Sequence, residues 1–245
     1  MKHILFILTI SLIIVSCKKE IKPDVQVIVD KTIEASGGEK YSNFELEFDF
    51  RNKHYRAVRN FGNYTYERQF MDSLNLIKDQ LSNTGFKRYV NDELASVPDS
   101  MAVKYTSSVN SVHYFIQLPY GLNDVAVNKT YIDLVTIKSQ KYHKLKVTFN
   151  QDGGGEDFED VFIYWINAES YKTEYIAYSY AEDDGLGLRF REAYNERYIN
   201  GLRFVDYKNY RPENTSTDLL NLDTLFEAGK LKLLSKIENE NIIVK

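Results

Sequence analysis

The fold is decided by the stretch Phe44-Glu45-Leu46-Glu47-Phe48-Asp49-Phe50, in which large apolar side chains alternate with carboxylates. Successive side chains of a β-strand point to opposite faces, so this period of two buries one face and leaves the other in water. The stretch therefore predicts a half-buried strand. The 19 Tyr and 14 Phe of the chain favour β-sheet more widely, because aromatic side chains pack well on pleated surfaces.

Candidate strands continue on the C-terminal side of this stretch. The segments 55–61 and 64–70 keep the alternation across a turn at Gly62 and Asn63, and shorter strands are predicted over 74–81 and 86–90. No long helix separates these segments, which excludes parallel crossovers and predicts an antiparallel meander. Further strands are predicted over 132–138, 142–149, 161–166, 173–180, 186–194, 203–210 and 231–237. The segment 161–166 is apolar on both faces, so we expect both of its faces to be covered.

Three helices are predicted around and between these strands. The first begins at Pro23 and Asp24 and ends at the pair Gly37 and Gly38, since proline and a carboxylate favour a helix start and glycine a helix end. A second begins at 96–99 and ends before Pro119, with apolar residues recurring every three or four positions. A short third helix is predicted over 219–228. The residues alone therefore predict an α+β protein built on antiparallel sheet.

The N-terminus has the features of a bacterial export signal. Lys2 precedes an apolar segment that is too short to remain as a membrane anchor, and Ser16 and Cys17 end it. The run 14–17 resembles a lipobox, which implies a signal peptide over residues 1–16, lipidation of Cys17 and a tether over 17–23. An ordinary signal peptide that contains a cysteine is the alternative. Lys18 after the cysteine resembles the sorting signal for the outer membrane, on either its periplasmic or its surface face.

Several classes of function are excluded or find no support. The net charge is −4, without the basic excess that a nucleic-acid partner requires. Cys17 is the only cysteine, so the chain has no disulfide and no cysteine metal site. The histidines beyond the signal peptide, His54, His113 and His143, lack the spacing of a metal pair, and His113 is interpreted as a structural histidine. Serine-elbow, phosphate-loop and dinucleotide motifs are missing. We therefore predict a non-enzymatic monomer without a cofactor or a metal.

An acidic, glycine-rich loop runs from Asp152 to Asp160. Its carboxylates and flexible backbone are compatible with Ca²⁺, although their spacing is not that of an EF-hand. An ordinary solvated hairpin is the favoured interpretation.

Three arginines fall on strand faces that also carry aromatic or aliphatic side chains, namely Arg59, Arg68 and Arg88. A guanidinium group binds a carboxylate or phosphate through two parallel hydrogen bonds, so the three could hold the headgroup of an amphipathic ligand. The alternative is that they emerge at a sheet rim or pair with carboxylates such as Glu67 and Asp72.

The order of these elements, together with several short motifs, resembles known families. The motifs are Phe50-Arg51-Asn52-Lys53, Gly62-Asn63-Tyr64, Ser111-Val112-His113-Tyr114-Phe115, Leu118-Pro119-Tyr120-Gly121-Leu122 and Tyr164-Trp165-Ile166-Asn167. They resemble a family of bacterial lipoproteins without an assigned function, and the element order resembles the LolA/LolB-like lipoprotein-carrier superfamily. The second resemblance implies one domain over residues 24–245, a large curved antiparallel sheet forming an incomplete, half-open β-barrel, and two to three helices over its concave face. It implies no site residues.

The leading hypothesis is an outer-membrane-tethered protein that binds a lipid, a lipoprotein acyl chain or another apolar ligand in the concave face of the sheet. The ligand-binding residues predicted on this hypothesis are Phe44, Leu46, Phe48, Phe50, Arg59, Tyr64, Tyr66, Arg68, Phe70, Arg88, Met101, Tyr105, Val109, Val112 and Ile116. One alternative is a structural or protein-interaction module of the cell envelope with a filled core, and another is a hydrolase of unrecognised type. An apolar cavity of roughly 300 Å³ or more would favour ligand binding.

Overall fold

The computed structural model describes residues 23–154, 158–182, 185–214 and 216–245. The predicted signal peptide, the lipidation site Cys17 and the tether up to residue 22 lie outside the described residues. Residues 155–157 of the acidic loop lie outside them as well.

The first half of the chain forms one helix and six strands in sequence. Helix α1 spans Val25–Ser36. At its start the Asp24 carboxylate accepts a hydrogen bond from the Gln26 backbone N–H, and at its end Gly37 has a positive φ that favours glycine. A 3₁₀ helix over Gly38–Ser42 leads into the sheet. The strands are β1 Asn43–Phe50, β2 Lys53–Asn60, β3 Asn63–Asp72, β4 Asn75–Ser82, β5 Gly85–Val90 and β6 Glu93–Ala95.

The second half begins with helix α2, which spans Asp99–Ile116. Its strands are β7 Val127–Ile137, β8 Gln140–Phe149, β9 Val161–Asn167, β10 Thr173–Glu182, β11 Gly185–Ile199 and β12 Leu202–Pro212. Helix α3 over Leu222–Glu227 and the strands β13 Leu231–Ile237 and β14 Asn239–Val244 follow.

The strands form two antiparallel sheets of seven strands that meet at the C-terminal segment. The first sheet has the order β14-β1-β2-β3-β4-β5-β6, and the second has the order β13-β12-β11-β10-β9-β8-β7. Only Glu238 separates β13 from β14, so one segment of chain belongs to both sheets. In the described part of the chain β6 and β7 end their sheets without pairing to each other. The strands therefore form a curved, open surface and no closed barrel.

Apolar side chains cover both faces of the second sheet. Helices α1 and α2 cover its inner face, where Val29, Phe115 and Phe162 belong to one apolar cluster. Helix α3 lies on the outer face, where Trp165 and Phe190 pack together with Leu222 and Phe226. The covering of β9 on both faces confirms the expectation for segment 161–166.

The predicted fold class is confirmed, with differences in the extent of some strands. β7 begins at Val127, five residues before the predicted start. β6 and β14 were not predicted, because short edge strands of mixed polarity carry little periodic signal. The unpredicted strand β14 matters for the architecture, because it pairs with β1 and links the two sheets.

Candidate functional site: a cavity beside helix α2

Helix α2 is held between the inner faces of the two sheets. On the side of the first sheet, Arg68 Nη1 donates to Ser108 Oγ at 2.6 Å and His113 Nε2 lies 3.0 Å from the Glu67 carbonyl oxygen. On the side of the second sheet, the hydroxyls of Tyr114 and Tyr164 are 2.8 Å apart. The two inner faces therefore look towards each other across the helix.

A cavity of about 880 Å³ lies along this helix. The helix contributes small and polar side chains as well as aromatic ones to its wall, among them Ser107, Ser111 and Phe115. Its lining elsewhere comes from both sheets and from the loops at the end of α2. The cavity is partly open to solvent, and its volume lies within the roughly 300–1,000 Å³ of small-molecule binding sites.

The inner face of the second sheet forms the floor of the cavity. Arg191 of β11 pairs directly with Asn209 of β12, which pairs with Ser235 of β13. These three side chains all line the cavity, and the aromatic rings of Tyr178 and Tyr207 flank them. The floor thus combines an apolar aromatic wall with a short row of polar groups.

A second polar group lies at the end of α2. The Nε of Arg59 donates to Gln117 Oε1 at 3.0 Å, its Nη2 contacts the Tyr66 hydroxyl, and its guanidinium carbon lies 4.8 Å from the centre of the Tyr120 ring. Burial raises the pKa of Asp124, which also lines the cavity, although Arg59 opposes this shift. This end of the cavity therefore carries both charged and polar groups.

The predicted ligand-binding residues fall into three groups. The cavity lining includes six of them: Phe50, Arg59, Tyr64, Tyr66, Val112 and Ile116. Four others are fully buried in the apolar core against the first sheet: Phe44, Leu46, Phe48 and Val109. They are part of the packed core and do not line the cavity.

The other five lie towards the N-terminal half of α2 or at a sheet end. Both Arg68 and Arg88 bind the buried Asp79 carboxylate at 2.6 Å, so the alternative of carboxylate pairing holds for these two arginines. The Tyr105 ring covers the Arg88 guanidinium at 3.6 Å. Met101 is partly buried on α2, and Phe70 lines a separate groove of about 440 Å³.

The sequence interpretation missed the contribution of the second sheet. Arg191, Asn209 and Ser235 were not predicted, because an arginine that alternates with Leu188 and Phe190 gives the same pattern whether it faces solvent or a cavity. In the structure Phe190 packs under α3 while Arg191 points to the inner side. The alternation could have identified Arg191 as an inward-facing residue only if both faces of β11 were already known to be covered.

The histidines do not form a metal centre or a catalytic pair in the cavity. His113 is fully buried, and burial lowers its pKa to about 4, so the ring is neutral at pH 7. His54 Nδ1 contacts Asp49 Oδ1 at 2.8 Å, but this pair lies at the separate groove and is half exposed. Among the described residues there is no cluster of three or more His, Cys, Asp or Glu side chains that could hold a metal ion.

None of the helices in the described part of the chain has the length and apolar character needed to cross a membrane.

Solved structures are similar to this one to different degrees. A LolA superfamily protein from Nitrosomonas europaea matches with a TM-score of 0.50 and 11% identity, over 91% of this chain and 94% of that chain. A DUF1329 family protein from Desulfovibrio piger matches with a TM-score of 0.40 and 10% identity, over 89% and 92% of the two chains. A domain described as an outer membrane lipoprotein-sorting protein from Vibrio parahaemolyticus matches with a TM-score of 0.39 and 9% identity, over 83% and 99%. The first match confirms the predicted LolA-like fold, and identities this low support no more than the fold.

Comparison by sequence identifies a family. The model of a family of unknown function (DUF6503) matches residues 2–239. No curated protein matches the chain significantly.

Proposed function

The chain belongs to the family of unknown function DUF6503, and from that premise we propose that it is a lipid-anchored, non-enzymatic protein that takes up a lipid, an acyl chain or another apolar ligand. The ligand lies in the cavity between α2 and the inner faces of the two sheets. The observation that carries this proposal is the volume of that cavity, about 880 Å³.

The volume favours a ligand site over a filled core. Binding sites for small molecules occupy roughly 300–1,000 Å³ and are lined mainly by apolar and aromatic groups with a few polar ones. The lining has this character, with Phe115, Phe162 and Tyr178 beside Arg191 and Asn209. In a structural or interaction module with a filled core, side chains would fill the space along α2 and leave only small voids.

The groups in the cavity also favour binding over catalysis. Catalytic acids and bases act through positioned hydrogen bonds, such as a histidine held by a carboxylate. His113 is the histidine of the lining, and its described partner is the Glu67 carbonyl oxygen. The described lining residues thus contain no histidine–carboxylate hydrogen bond, which leaves the hydrolase alternative with little support.

The anchor and the domain limits complete the proposal. A single domain over residues 24–245 is tethered through acylated Cys17 to the outer membrane, as a monomer with no nucleic-acid partner and no cofactor. The tether over 17–23 is short, so the cavity stays within a few tens of ångströms of the lipid surface, since an extended chain spans at most about 3.6 Å per residue. This placement suits a protein that exchanges an apolar ligand with its own membrane.

Native mass spectrometry of the protein purified from its host membrane under mild conditions tests the proposal. The matched variants place a tryptophan at two positions of α2, Ser111→Trp on the cavity wall and Lys104→Trp on the exposed side. We expect a co-purified lipid on the wild type and on Lys104→Trp, and its loss from Ser111→Trp, because an indole side chain fills the space that the ligand needs.

Two results would contradict the proposal. Repeated recovery of bare wild-type protein would show that the cavity holds no lipid. Retention of the same lipid by folded Ser111→Trp would show that the lipid binds elsewhere on the protein.

A further inference from the structure

Arg191 is a buried cation for which the described part of the chain supplies no anionic partner. Its residue is 8% exposed, and no carboxylate of the described residues lies within ion-pair distance of its guanidinium group. Its one described hydrogen bond is donated by Nη2 to the Tyr178 hydroxyl at 2.7 Å, and its Nε has no partner. An arginine stays protonated in proteins, so this group brings a positive charge into the apolar wall.

Other buried arginines of the chain are paired differently. Arg68 binds the Asp79 carboxylate at 2.6 Å, and Arg203 approaches the Glu196 carboxylate at 3.4 Å. Removing a charge from water is costly unless an opposite charge or a full set of hydrogen bonds replaces the water. The ring of Phe115, whose centre is 3.6 Å from the Arg191 guanidinium carbon, compensates only in part. The Arg191 guanidinium therefore has unused donors and an uncompensated charge with which it can bind an anion in the cavity.

The neighbours of Arg191 complete a small polar site. Asn209 is its direct partner on the next strand, and its Oδ1 is buried without a hydrogen bond. A half-turn of that amide exchanges its oxygen for the two N–H donors of Nδ2, so Asn209 can offer donors as well as an acceptor. The Ser235 hydroxyl, the next group in the row, contacts Asn209 and lines the cavity. A site with one guanidinium group and otherwise neutral donors matches the single negative charge of a carboxylate better than the double charge of a phosphate monoester.

We propose that the cavity binds a long-chain carboxylate, with the apolar chain along the aromatic wall and the carboxylate on Arg191, assisted by Asn209 and Ser235. This inference rests on the proposed function and specifies its ligand: a free fatty acid or another acyl chain that ends in a carboxylate. A neutral acyl ester or amide would leave the Arg191 charge unpaired.

Isothermal titration calorimetry with three probes of equal chain length tests the inference: dodecanoate, dodecanol and dodecyl phosphate. The full-length chain carries Cys17→Ser, which removes the expected acylation site. The test variant is Arg191→Met, which keeps the length and apolar stem of the side chain, and the matched control is Arg211→Met at an exposed position of β12.

We expect dodecanoate to bind the parent protein and Arg211→Met equally, and to bind Arg191→Met about tenfold to a hundredfold more weakly, the usual range for a hydrogen bond to a charged group. Dodecanol binding should change less than about twofold in Arg191→Met, because the chain contacts remain. In the absence of probe, Arg191→Met should unfold at the same or a higher urea concentration, since an unpaired buried charge has been removed. A purely structural role for Arg191 predicts the opposite change in stability.

The outcomes separate the two proposals. Equal binding of dodecanoate and dodecanol, unaffected by Arg191→Met, would overturn the carboxylate site and leave the apolar cavity in place. Binding of dodecyl phosphate at least tenfold tighter than dodecanoate would replace the carboxylate by a phosphate headgroup and also overturn the inference. Failure of all three probes to bind the folded protein would overturn the proposed function itself.

Discussion

Asp79 supports the packing of α2 against the first sheet through two arginines. The carboxylate is fully buried, accepts hydrogen bonds from Arg68 and Arg88, and thereby positions Arg68 to donate to Ser108 on the helix. Each of the three charges has lost most of its hydration, and their mutual contacts replace it. Arginines thus have two roles in this protein. Arg68 and Arg88 are structural and paired with a carboxylate, whereas Arg191 has no carboxylate partner among the described residues.

Asp79→Asn should lower the free energy of unfolding by about 3 kcal/mol or more, because it leaves two buried guanidinium groups facing a neutral amide. The control is Asp92→Asn, which removes an exposed ion pair with Lys78 and should cost less than about 1 kcal/mol. Urea unfolding followed by circular dichroism measures both. Equal midpoints for Asp79→Asn and wild type would refute this account of the buried network.

His113 should make the stability of the protein depend on pH. Burial lowers the pKa of the native ring to about 4, whereas the ring of the unfolded chain titrates near its ordinary 6.5. The unfolded state therefore binds a proton between these values while the native state does not, so stability is full above pH 6.5 and falls as the pH decreases towards 4. The loss assigned to this residue is about 3 kcal/mol.

His113→Phe should reduce that pH dependence, because phenylalanine fits among the rings of Phe48, Tyr55 and Tyr66 and carries no proton. The measurement is the free energy of unfolding in urea at pH 7, 5.5 and 4.5. His54→Gln, which removes a half-exposed ring instead of a buried one, is the comparison variant. A slope in His113→Phe identical to that of wild type would show that His113 is not the responsible group.

At the scale of elements, the short helix α3 is attached to the outer face of the second sheet by one carboxylate. Asp223 accepts hydrogen bonds from Lys144 Nζ at 2.8 Å and from the indole nitrogen of Trp165 at 3.0 Å. Six residues are too few to form a stable helix alone, so α3 depends on these contacts and on its apolar side chains. The helix in turn keeps Trp165 and Phe190 away from water.

Asp223→Ala should detach α3 before the rest of the molecule unfolds, because it leaves the Lys144 ammonium buried without its carboxylate. Trp165 is the only tryptophan, so its emission reports this event directly. We expect a red shift at a urea concentration below the main transition seen by circular dichroism. Asp218→Ala, which removes the exposed N-cap of the 3₁₀ helix Leu219–Asn221 that precedes α3, should leave the two signals coincident. Coincident signals in Asp223→Ala would contradict the prediction.

At the scale of the whole molecule, the C-terminal segment makes one curved surface out of two sheets. β13 pairs with β12 and β14 pairs with β1, so the edge of each sheet is closed by a strand that continues into the other. The open ends of the surface are β6 and β7, which in the described residues do not pair with each other. An open surface with a helix laid inside it leaves space along the helix, and this is where the cavity lies.

The proposed membrane attachment belongs to the same scale. Cys17→Ser should abolish incorporation of labelled palmitate and move the protein from the membrane fraction to the soluble fraction of a Gram-negative host, since no other acylation site is expected. Ser16→Ala keeps a small residue before the cysteine and should remain labelled and membrane-bound. A labelled, membrane-bound Cys17→Ser protein would place the anchor elsewhere.

The sequence by itself determined the local elements. The period of two in 44–50, the helix start at Asp24 and the helix end at Gly37 each depend on neighbours within a few residues, so they are readable without the fold. The same holds for the antiparallel order of the first five strands, because hairpins connect them directly.

Only the tertiary structure decided which faces look inward and where space remains. The alternation around Arg191 predicts two faces of β11 but not that α3 covers one of them and the cavity lies along the other. The apolar pattern of Phe44, Leu46 and Phe48 is likewise the same for a packed core and for a ligand pocket, and in the structure these residues are packed. The physical reason is that burial and pairing of a side chain depend on contacts between segments far apart in the chain, which local periodicity does not encode.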